Sequence, residues 1–208
     1  MIVTFIPAAG RSSRMRGRDK LLEKVGGVPI LRRVAIEALG AAVGPVIVGI
    51  GPDDRERRKA LRNLDVELIE VADADEGMAA TLRAGARAAL AVMDAPHGGD
   101  YEYFGMLVLL PDMPGIEAAD IMEMERVFQA RGGPVVRATT EDGRAGHPVL
   151  FPDHALRNFG ILSGDKGAAA MMEGERIVTV ALPGERAVLD LDTPEDWAAW
   201  RKGREGRS

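Results

Sequence analysis

Apolar residues in this chain form short continuous runs that alternate with longer stretches of helical spacing. The runs cover residues 2–6, 46–50, 66–71 and 106–110, and such continuous, often β-branched runs are typical of parallel strands buried on both faces. Between and after them, the apolar spacing and charged stretches predict helices over about 30–39, 53–64, 78–93 and 117–131. This alternation favours an α/β fold with a doubly wound, mostly parallel sheet, Rossmann-like and built in three αβα layers.

Proline and glycine positions set the expected helix boundaries. Pro29 suits the first position of the first helix, and Gly40 with the following Gly44-Pro45 is expected to end it. Near the C-terminus, residues 188–191 predict a strand that runs into a helix starting at Pro194. Thr193 and Asp196 have the spacing of a capping box. Alternation along that strand would place Asp190 and Asp192 on one side.

The length of 208 residues predicts one domain over residues 1–200 with a loose, charged tail over 201–208. The absence of cysteine excludes disulfides, thiolate catalysis and cysteine-ligated metals. No apolar run approaches the roughly 20 residues that span a bilayer, and the first residues lack a signal-peptide pattern, so we expect a cytoplasmic protein that does not bind membranes. A pI near 5.3 with 4% aromatic residues argues against nucleic-acid binding and favours a small ligand.

The loop after the first strand has the composition of an anion site. Small residues Ala8, Ala9 and Gly10 expose the backbone, and two serines and several cations follow within a chain of net charge -5. The residues are Arg11, Ser12, Ser13, Arg14, Arg16, Arg18 and Lys20. Exposed amides and flexible cations bind phosphates, although a solvated basic turn remains the alternative. The loop is neither a Walker A motif, since Asp19 precedes Lys20, nor a Gly-x-Gly-x-x-Gly fingerprint.

Outside this loop, Asp112 is the strongest candidate for a chemical role. It follows a buried strand directly, in Leu110-Pro111-Asp112-Met113-Pro114, so rigid structure would hold its carboxylate at the ligand edge of the sheet. A carboxylate there suits a hard cation such as Mg²⁺. The alternative is a turn or capping aspartate.

Three further turns carry candidate residues with open alternatives. The turn 77–83 opens the long helix and would present backbone N–H groups to a ligand, or it is a glycine-started helix packed by Met78 and Leu82. His147 precedes a proline and is a binding or a structural turn residue. The segment 163–167 is a second anion nest or a helix cap.

Taken together, these motifs resemble the nucleotidyltransferases that finish the molybdenum cofactor, and most closely their cytidylyltransferase branch. The resemblance is carried by residues 8–15, 19–22 and 27–31, and by the blocks 77–83, 110–114, 146–151 with 164–167, and 190–196. Family members with guanylyl specificity usually have Ala-Gly-Gly where this chain has Ala8-Ala9-Gly10, which favours CTP. Pro7 replaces the usual leucine, and Thr81 replaces a common serine.

The resemblance implies transfer of a nucleoside monophosphate, CMP favoured, from an NTP to a phosphorylated acceptor such as molybdopterin, with pyrophosphate released and Mg²⁺ required. Asp112 and Asp192 would bind the metal, and Arg14, Lys20 and Asp112 would be catalytic. The implied nucleotide-binding residues are Ala8, Ala9, Gly10, Arg11, Ser12, Ser13, Arg14, Lys20, Gly77, Met78, Ala79, Ala80 and Thr81. His147, Gly164 and Asp165 would face the acceptor. Transient docking to a molybdoenzyme or a cofactor-biosynthesis protein is a further expectation.

Two rival functions stay open at this point. The chain is also compatible with a guanylyl- or cytidylyltransferase for another phosphorylated acceptor, such as a sugar or isoprenoid phosphate, because the acceptor half is less diagnostic. It is also compatible with a nucleotide-binding regulatory module that has lost turnover. The presence of Arg14, Lys20, Asp112 and Asp192 argues against that loss.

Overall fold

A seven-stranded sheet forms the centre of the computed structural model, which describes residues 1–12, 15–96, 102–164 and 167–205. In chain order the strands are β1 Ile2–Ala8, β2 Lys24–Val25, β3 Val28–Pro29, β4 Val46–Ile50, β5 Glu67–Glu70, β6 Gly105–Val108, β7 Val135–Thr139, β8 Ala145–Pro152 and β9 Ile177–Ala181. The sheet order is β5-β4-β1-β6-β8-β7-β9, while β2 and β3 form a separate hairpin. Strands β5, β4, β1 and β6 are parallel, β8 runs antiparallel to both of its neighbours, and β9 is parallel to β7.

Helices cover both faces of this sheet. They are α1 Ile30–Ala41, α2 Arg55–Ala60, α3 Met78–Asp94, α4 Ala118–Ala130, α5 Asp153–Leu156 and α6 Pro194–Glu205. All of β1 is buried, and its side chains alternate between two cores. Ile2 and Ile6 pack in the cluster that contains the buried residues of α1 and α4, while Val3 and Phe5 pack in the cluster that contains those of α3. The predicted doubly wound, three-layer α/β fold is confirmed.

Close packing of α3 on the sheet depends on a glycine. A Cβ built on Gly85 would overlap the ring of Phe5, whose side chain is fully buried in the middle of β1. The small residues of α3 therefore bring this helix near the strand that carries the candidate loop. Among the described residues, no helix combines the length and the apolar character needed to cross a membrane.

Several predicted boundaries are wrong in detail. Pro29 is the residue before α1 rather than its first helical residue, and the helix passes Gly40 to end at Ala41. The charged helix predicted over 53–64 is shorter, Arg55–Ala60. Helix α1 ends at a left-handed residue, Ala42, whose N–H donates to the carbonyl of Leu39, and not at the glycines.

The C-terminal region shows a larger departure. Residues 188–192 belong to no described strand, because the N–H of Leu189 turns back to the carbonyl of Glu185 instead of pairing in the sheet. Helix α6 does begin at Pro194, and the capping box is confirmed by reciprocal hydrogen bonds between Thr193 and Asp196. The helix continues through Glu205, so residues 201–205 of the predicted tail are helical.

Candidate active site

The carboxyl ends of β1 and β6 lie side by side, and the loops that follow them carry the candidate chemistry. Asp112 is four residues beyond the end of β6 and only 7% exposed. The N–H of Leu191 donates to the backbone carbonyl of Asp112 at 3.2 Å. This hydrogen bond connects the segment before α6 to the loop after β6. Among the described residues, Asp192 lies in no strand, so it does not reach Asp112 through a neighbouring strand.

Three carboxylates converge at this edge. Oxygen atoms of Asp112, Asp190 and Asp192 all lie within 4.8 Å of one another. Burial raises the pKa of Asp190, and the neighbouring charges of Asp112 and Asp192 raise it further. The sequence pattern placed Asp190 on the same side as Asp192 without giving it a role as a ligand, and the structure places it in the group.

Lys20 balances part of this negative charge. Its Nζ lies 2.5 Å from Oδ2 of Asp112 and 2.5 Å from Oδ1 of Asp192. Burial by itself lowers the pKa of Lys20, but the two carboxylates outweigh it, so the pKa is raised and the ammonium keeps its proton. In this conformation, Lys20 is held by the acidic group that was expected to hold the metal.

The acidic group has the chemistry of a divalent cation site. Oδ1 of Asp112 is buried and has no hydrogen-bond partner within the part of the chain that the structure describes. A buried carboxylate oxygen without a partner is costly, and a cation between three carboxylates would satisfy it. Hard oxygen donors of this kind suit Mg²⁺ or Mn²⁺.

Arg57, which sequence reasoning missed, supports the loop from behind. Its side chain is 5% exposed and lies beneath the turn after β1. The guanidinium donates to the carbonyls of Ala8 and Gly10 at 2.6 and 3.0 Å. It also donates to both carboxylate oxygens of Asp19 at 2.7 and 3.1 Å, and to Asp54 at 3.2 Å. Arg57 therefore joins the start of the candidate loop to its end.

Asp19 connects Arg57 to the backbone around Lys20 through hydrogen bonds. Its Oδ1 accepts from the hydroxyl of Ser12 and from the N–H of Leu21, where it caps the short 3₁₀ helix Lys20–Leu22. The Ser12 hydroxyl in turn accepts from the N–H of Lys20 at 3.1 Å. The backbone that carries Lys20 is thus fixed by hydrogen bonds to both ends of the loop.

The remaining residues of the predicted nucleotide loop differ in exposure. Ala8 and Ala9 are buried, Gly10 is exposed, and Arg11 is exposed and paired with Asp75. Ser13 and Arg14 lie outside the described residues. The roles predicted for this loop stay predictions, and the geometry adds that its backbone at Ala8 and Gly10 is held by Arg57.

Most side chains at the start of α3, the second segment predicted to bind the nucleotide, are buried. Ala79, Ala80 and Thr81 are buried, while Met78 is 37% exposed. The N–H of Ala79 donates to the carbonyl of Gly164 at 3.2 Å. Of the N–H groups expected to face a ligand, that of Ala79 is therefore already bonded in this conformation.

Of the predicted acceptor residues, His147 lines a cavity on the α3 face of the sheet. Its Nδ1 is buried without a hydrogen-bond partner among the described residues. Burial lowers the pKa of His147, Arg137 lowers it further, and Asp112 acts in the opposite direction. Gly164 contacts the start of α3, as described above, while Asp165 lies outside the described residues.

Comparison with known proteins gives a consistent family. Residues 4–180 match the family described as the MobA-like NTP transferase domain. A protein of Opitutus terrae named "Probable molybdenum cofactor guanylyltransferase" is 30% identical over 196 residues, covering 90% of this chain and 89% of that one. A protein of Haloferax mediterranei with the same name is 38% identical over 85 residues, 40% of each chain.

Solved structures share the whole architecture. The crystal structure of Rv0371c from Mycobacterium tuberculosis has a TM-score of 0.77 at 25% identity and covers 95% of each chain. A second structure of Rv0371c, in complex with manganese, has a TM-score of 0.73 at 22% identity, covering 95% of this chain and 96% of that one. Because the family match spans most of the chain and a relative aligns over nearly its full length, this chain belongs to the MobA-like NTP transferase family and is a nucleotidyltransferase.

Proposed function

We propose that this enzyme transfers a nucleoside monophosphate from an NTP to a phosphorylated acceptor in molybdenum cofactor biosynthesis, with Mg²⁺ bound and pyrophosphate released. The observation that carries the proposal is the group of Asp112, Asp190 and Asp192, with a buried and unpartnered oxygen on Asp112, beside the basic loop after β1. The name of the Opitutus terrae relative supports the acceptor, and the manganese complex of Rv0371c supports a divalent cation.

The residues of the site suit an in-line displacement at the α-phosphorus. An oxygen of the acceptor phosphate forms the new P–O bond while the bond to pyrophosphate breaks, and the pyrophosphate leaves with the bonding electrons. A phosphate monoester is largely ionised near neutral pH, since its second pKa is about 6. The enzyme therefore needs alignment and charge stabilisation more than a general base.

Asp112 and Asp192 would hold a divalent cation, with Asp190 beside them, and the cation would neutralise phosphate oxygens as charge shifts to the leaving group. With the carboxylates occupied in this way, the Lys20 ammonium would be available to the phosphates of the nucleotide. The hydrogen bonds around Lys20 fix its backbone, so only its side chain would need to move.

CTP is the proposed nucleotide, and Ala9 supports it. The methyl group of Ala9 packs with Val71, Ala80 and Ala84 between the end of β1 and the start of α3. A glycine at this position, as expected in guanylyl enzymes, would leave that volume open beside the loop. The second candidate is GTP, which the names of both curated relatives favour.

A nucleotide panel tests the proposal. Thermal unfolding is followed with CTP, GTP, UTP or ATP and Mg²⁺, because a ligand of the native state raises the apparent stability. We expect the largest shift with CTP and a move toward GTP in Ala9→Gly. Pyrophosphate release is then measured with molybdopterin or another phosphorylated acceptor. Preference for GTP in the unchanged protein would overturn the cytidylyl assignment, and binding without pyrophosphate release would favour the regulatory module.

A further inference from the structure

The loop after β1 makes a second set of contacts, with helix α6 and the residues just before it. Among the described residues, three ion pairs join the two segments: Lys20 with Asp192, Arg16 with Glu195, and Glu23 with Arg201. The pair of Arg16 and Glu195 is exposed on both sides, so it contributes little. The pair of Glu23 and Arg201 is therefore the contact that fixes the loop on the far side of Lys20.

Glu23 ends the short 3₁₀ helix that begins with Lys20. Its N–H donates to the carbonyl of Lys20 at 3.2 Å, and its own carbonyl accepts from the N–H of Ile30, the first residue of α1, at 2.9 Å. Its side chain is 16% exposed, and the carboxylate accepts from Arg201 at 2.7 Å, while Arg18 lies 3.3 Å away. Solvent and salt screen a partly buried pair less than a surface pair. The carboxylate of Glu23 therefore connects the end of the Lys20 turn, residues 20–23, to α6.

Arg201 is oriented by a tryptophan one turn earlier in α6. Its guanidinium carbon lies 5.1 Å from the centroid of the Trp197 ring, which is the geometry of a cation–π contact. That ring is buried in the core cluster that also contains Met15 and Leu21 of the loop. Because the buried ring fixes the direction of the guanidinium, less side-chain entropy is lost when Arg201 meets Glu23.

The Lys20 turn is thus held at both ends. Its start is held from α2 through Asp19, and its end is held from α6 through Glu23. Because Asp192 comes two residues before the first residue of α6, the helix that holds the end of the turn also carries a cation ligand at its start. The spacing between the Lys20 backbone and Asp192 therefore depends on how α6 is attached to the loop.

We propose that Arg201 is a positioning residue of the reaction, which acts through Glu23 to hold the Lys20 turn at a fixed distance from Asp192. The inference rests on the proposed function, because Lys20 is taken to stabilise the phosphates. It gives the C-terminal helix a role beyond carrying Asp192. A reacting group that is misplaced by about 1 Å lowers the rate by up to roughly 100-fold, so a contact outside the site is enough to affect turnover.

Amide hydrogen exchange, followed by mass spectrometry, tests the positioning without any substrate. The N–H groups of Leu22 and Glu23 donate to carbonyls within the turn, so their exchange reports its opening. We expect Arg201→Gln to speed the exchange of these two amides roughly three- to tenfold, since it removes an ion pair and a cation–π contact. The amides of β1 should exchange as in the unchanged protein.

Two further variants sharpen this measurement. Arg201→Lys keeps the charge but lacks the planar group that stacks on Trp197, so its exchange should lie between that of Arg201→Gln and that of the unchanged protein. Lys202→Gln is the matched control, because Lys202 is the next residue of α6 and is exposed. It should leave the exchange unchanged. Equal exchange rates in Arg201→Gln and Lys202→Gln would overturn the proposal.

Turnover shows whether the contact acts through Lys20. Pyrophosphate release is measured at a temperature where every variant is folded. We expect Arg201→Gln to lower kcat roughly fivefold and to change the KM for the NTP less than about twofold, because the contact of Lys20 strengthens as charge moves to the leaving group. In a Lys20→Met protein, Arg201→Gln should lower kcat less than about twofold, since the group that it positions is already absent. A purely structural role would lower kcat by the same factor in both proteins, and that result would overturn the inference.

The two measurements separate this inference from the proposed function. Faster exchange in Arg201→Gln, in a protein that releases no pyrophosphate with any NTP, would overturn the proposed function and leave the positioning of the turn intact. An unchanged kcat in Arg201→Gln, with normal turnover of the unchanged protein, would overturn the positioning role and leave the function intact.

Discussion

Replacing Arg57 with methionine tests whether Arg57 holds the loop after β1 in position. Methionine keeps much of the buried volume but removes five hydrogen bonds, which link Ala8, Gly10, Asp19 and Asp54. Asp19 then keeps its bonds from Ser12 and Leu21, but it loses its cation. The substitution therefore loosens both ends of the loop while leaving Lys20, Asp112 and Asp192 unchanged.

The size of the effect follows from the burial of this pair. Removing one partner of a buried ion pair costs about 3–5 kcal/mol. Because the Asp19 side chain is 24% exposed and keeps other donors, we expect the lower end, a loss of about 3 kcal/mol in the free energy of unfolding. That corresponds to roughly 6–12 °C in Tm for a chain of this size. A shift of the loop by about 1 Å would lower kcat/KM roughly 100-fold.

The assay combines urea unfolding with pyrophosphate release under conditions where each variant is folded. Arg58→Met is the matched control, because Arg58 follows Arg57 in α2 and pairs with Glu70 at the surface. We expect this variant to lose less than about 0.5 kcal/mol in the free energy of unfolding and to keep its turnover. Arg57→Lys keeps the charge near Asp19 but lacks the planar fork, so it should recover stability more than kcat/KM. An Arg57→Met protein that loses stability yet keeps its kcat/KM at temperatures where it is folded would refute the positioning role.

Three further predictions test the site and the core. Asp112→Asn and Asp192→Asn should each raise the Mg²⁺ concentration needed for half-maximal turnover. Because both carboxylates act through one ion, the free-energy effect of the double variant should be smaller than the sum of the two single effects. Strictly additive effects would contradict a shared cation. Lys20→Met should lower turnover about 100- to 1,000-fold. In the absence of nucleotide it should tighten Mn²⁺ binding, measured by electron paramagnetic resonance, because the ammonium no longer competes for the carboxylates. Weaker Mn²⁺ binding would contradict that competition. Gly85→Ala should lower the free energy of unfolding by about 1–3 kcal/mol in urea, since the added methyl overlaps the Phe5 ring; an unchanged midpoint would show that the contact relaxes freely.

Much of the fold could be predicted because its signals are local. The apolar runs of β1, β4 and β6 are long enough to mark buried strands, and the helices between them follow from spacing. The position of Asp112 at the ligand edge follows from the same pattern, since it comes two residues after the apolar run 106–110. The sequence also predicted that Asp192 and Asp112 lie together, but through a strand over residues 188–191 that the described structure does not contain. In the structure they are connected by a backbone hydrogen bond from Leu191 to Asp112 and by the ammonium of Lys20 between the two carboxylates. No local pattern encodes these contacts.

The residues that were missed are cations whose direction depends on distant contacts. Arg57 lies in the helix Arg55–Ala60, where four of six residues are basic, and only the packing of α2 under the β1 loop decides that Arg57 turns inward while Arg58 meets Glu70 at the surface. Arg201 gave even less local signal, since it lies in the segment that was predicted to be a loose tail. Only the Trp197 ring beneath its guanidinium and the carboxylate of Glu23 distinguish it from its neighbour Lys202. In both helices two adjacent cations look alike in the sequence, and the fold brings a poorly exposed carboxylate to one of them. A positioning residue in a charged helix is therefore recognised by its tertiary partner and not by its sequence neighbours.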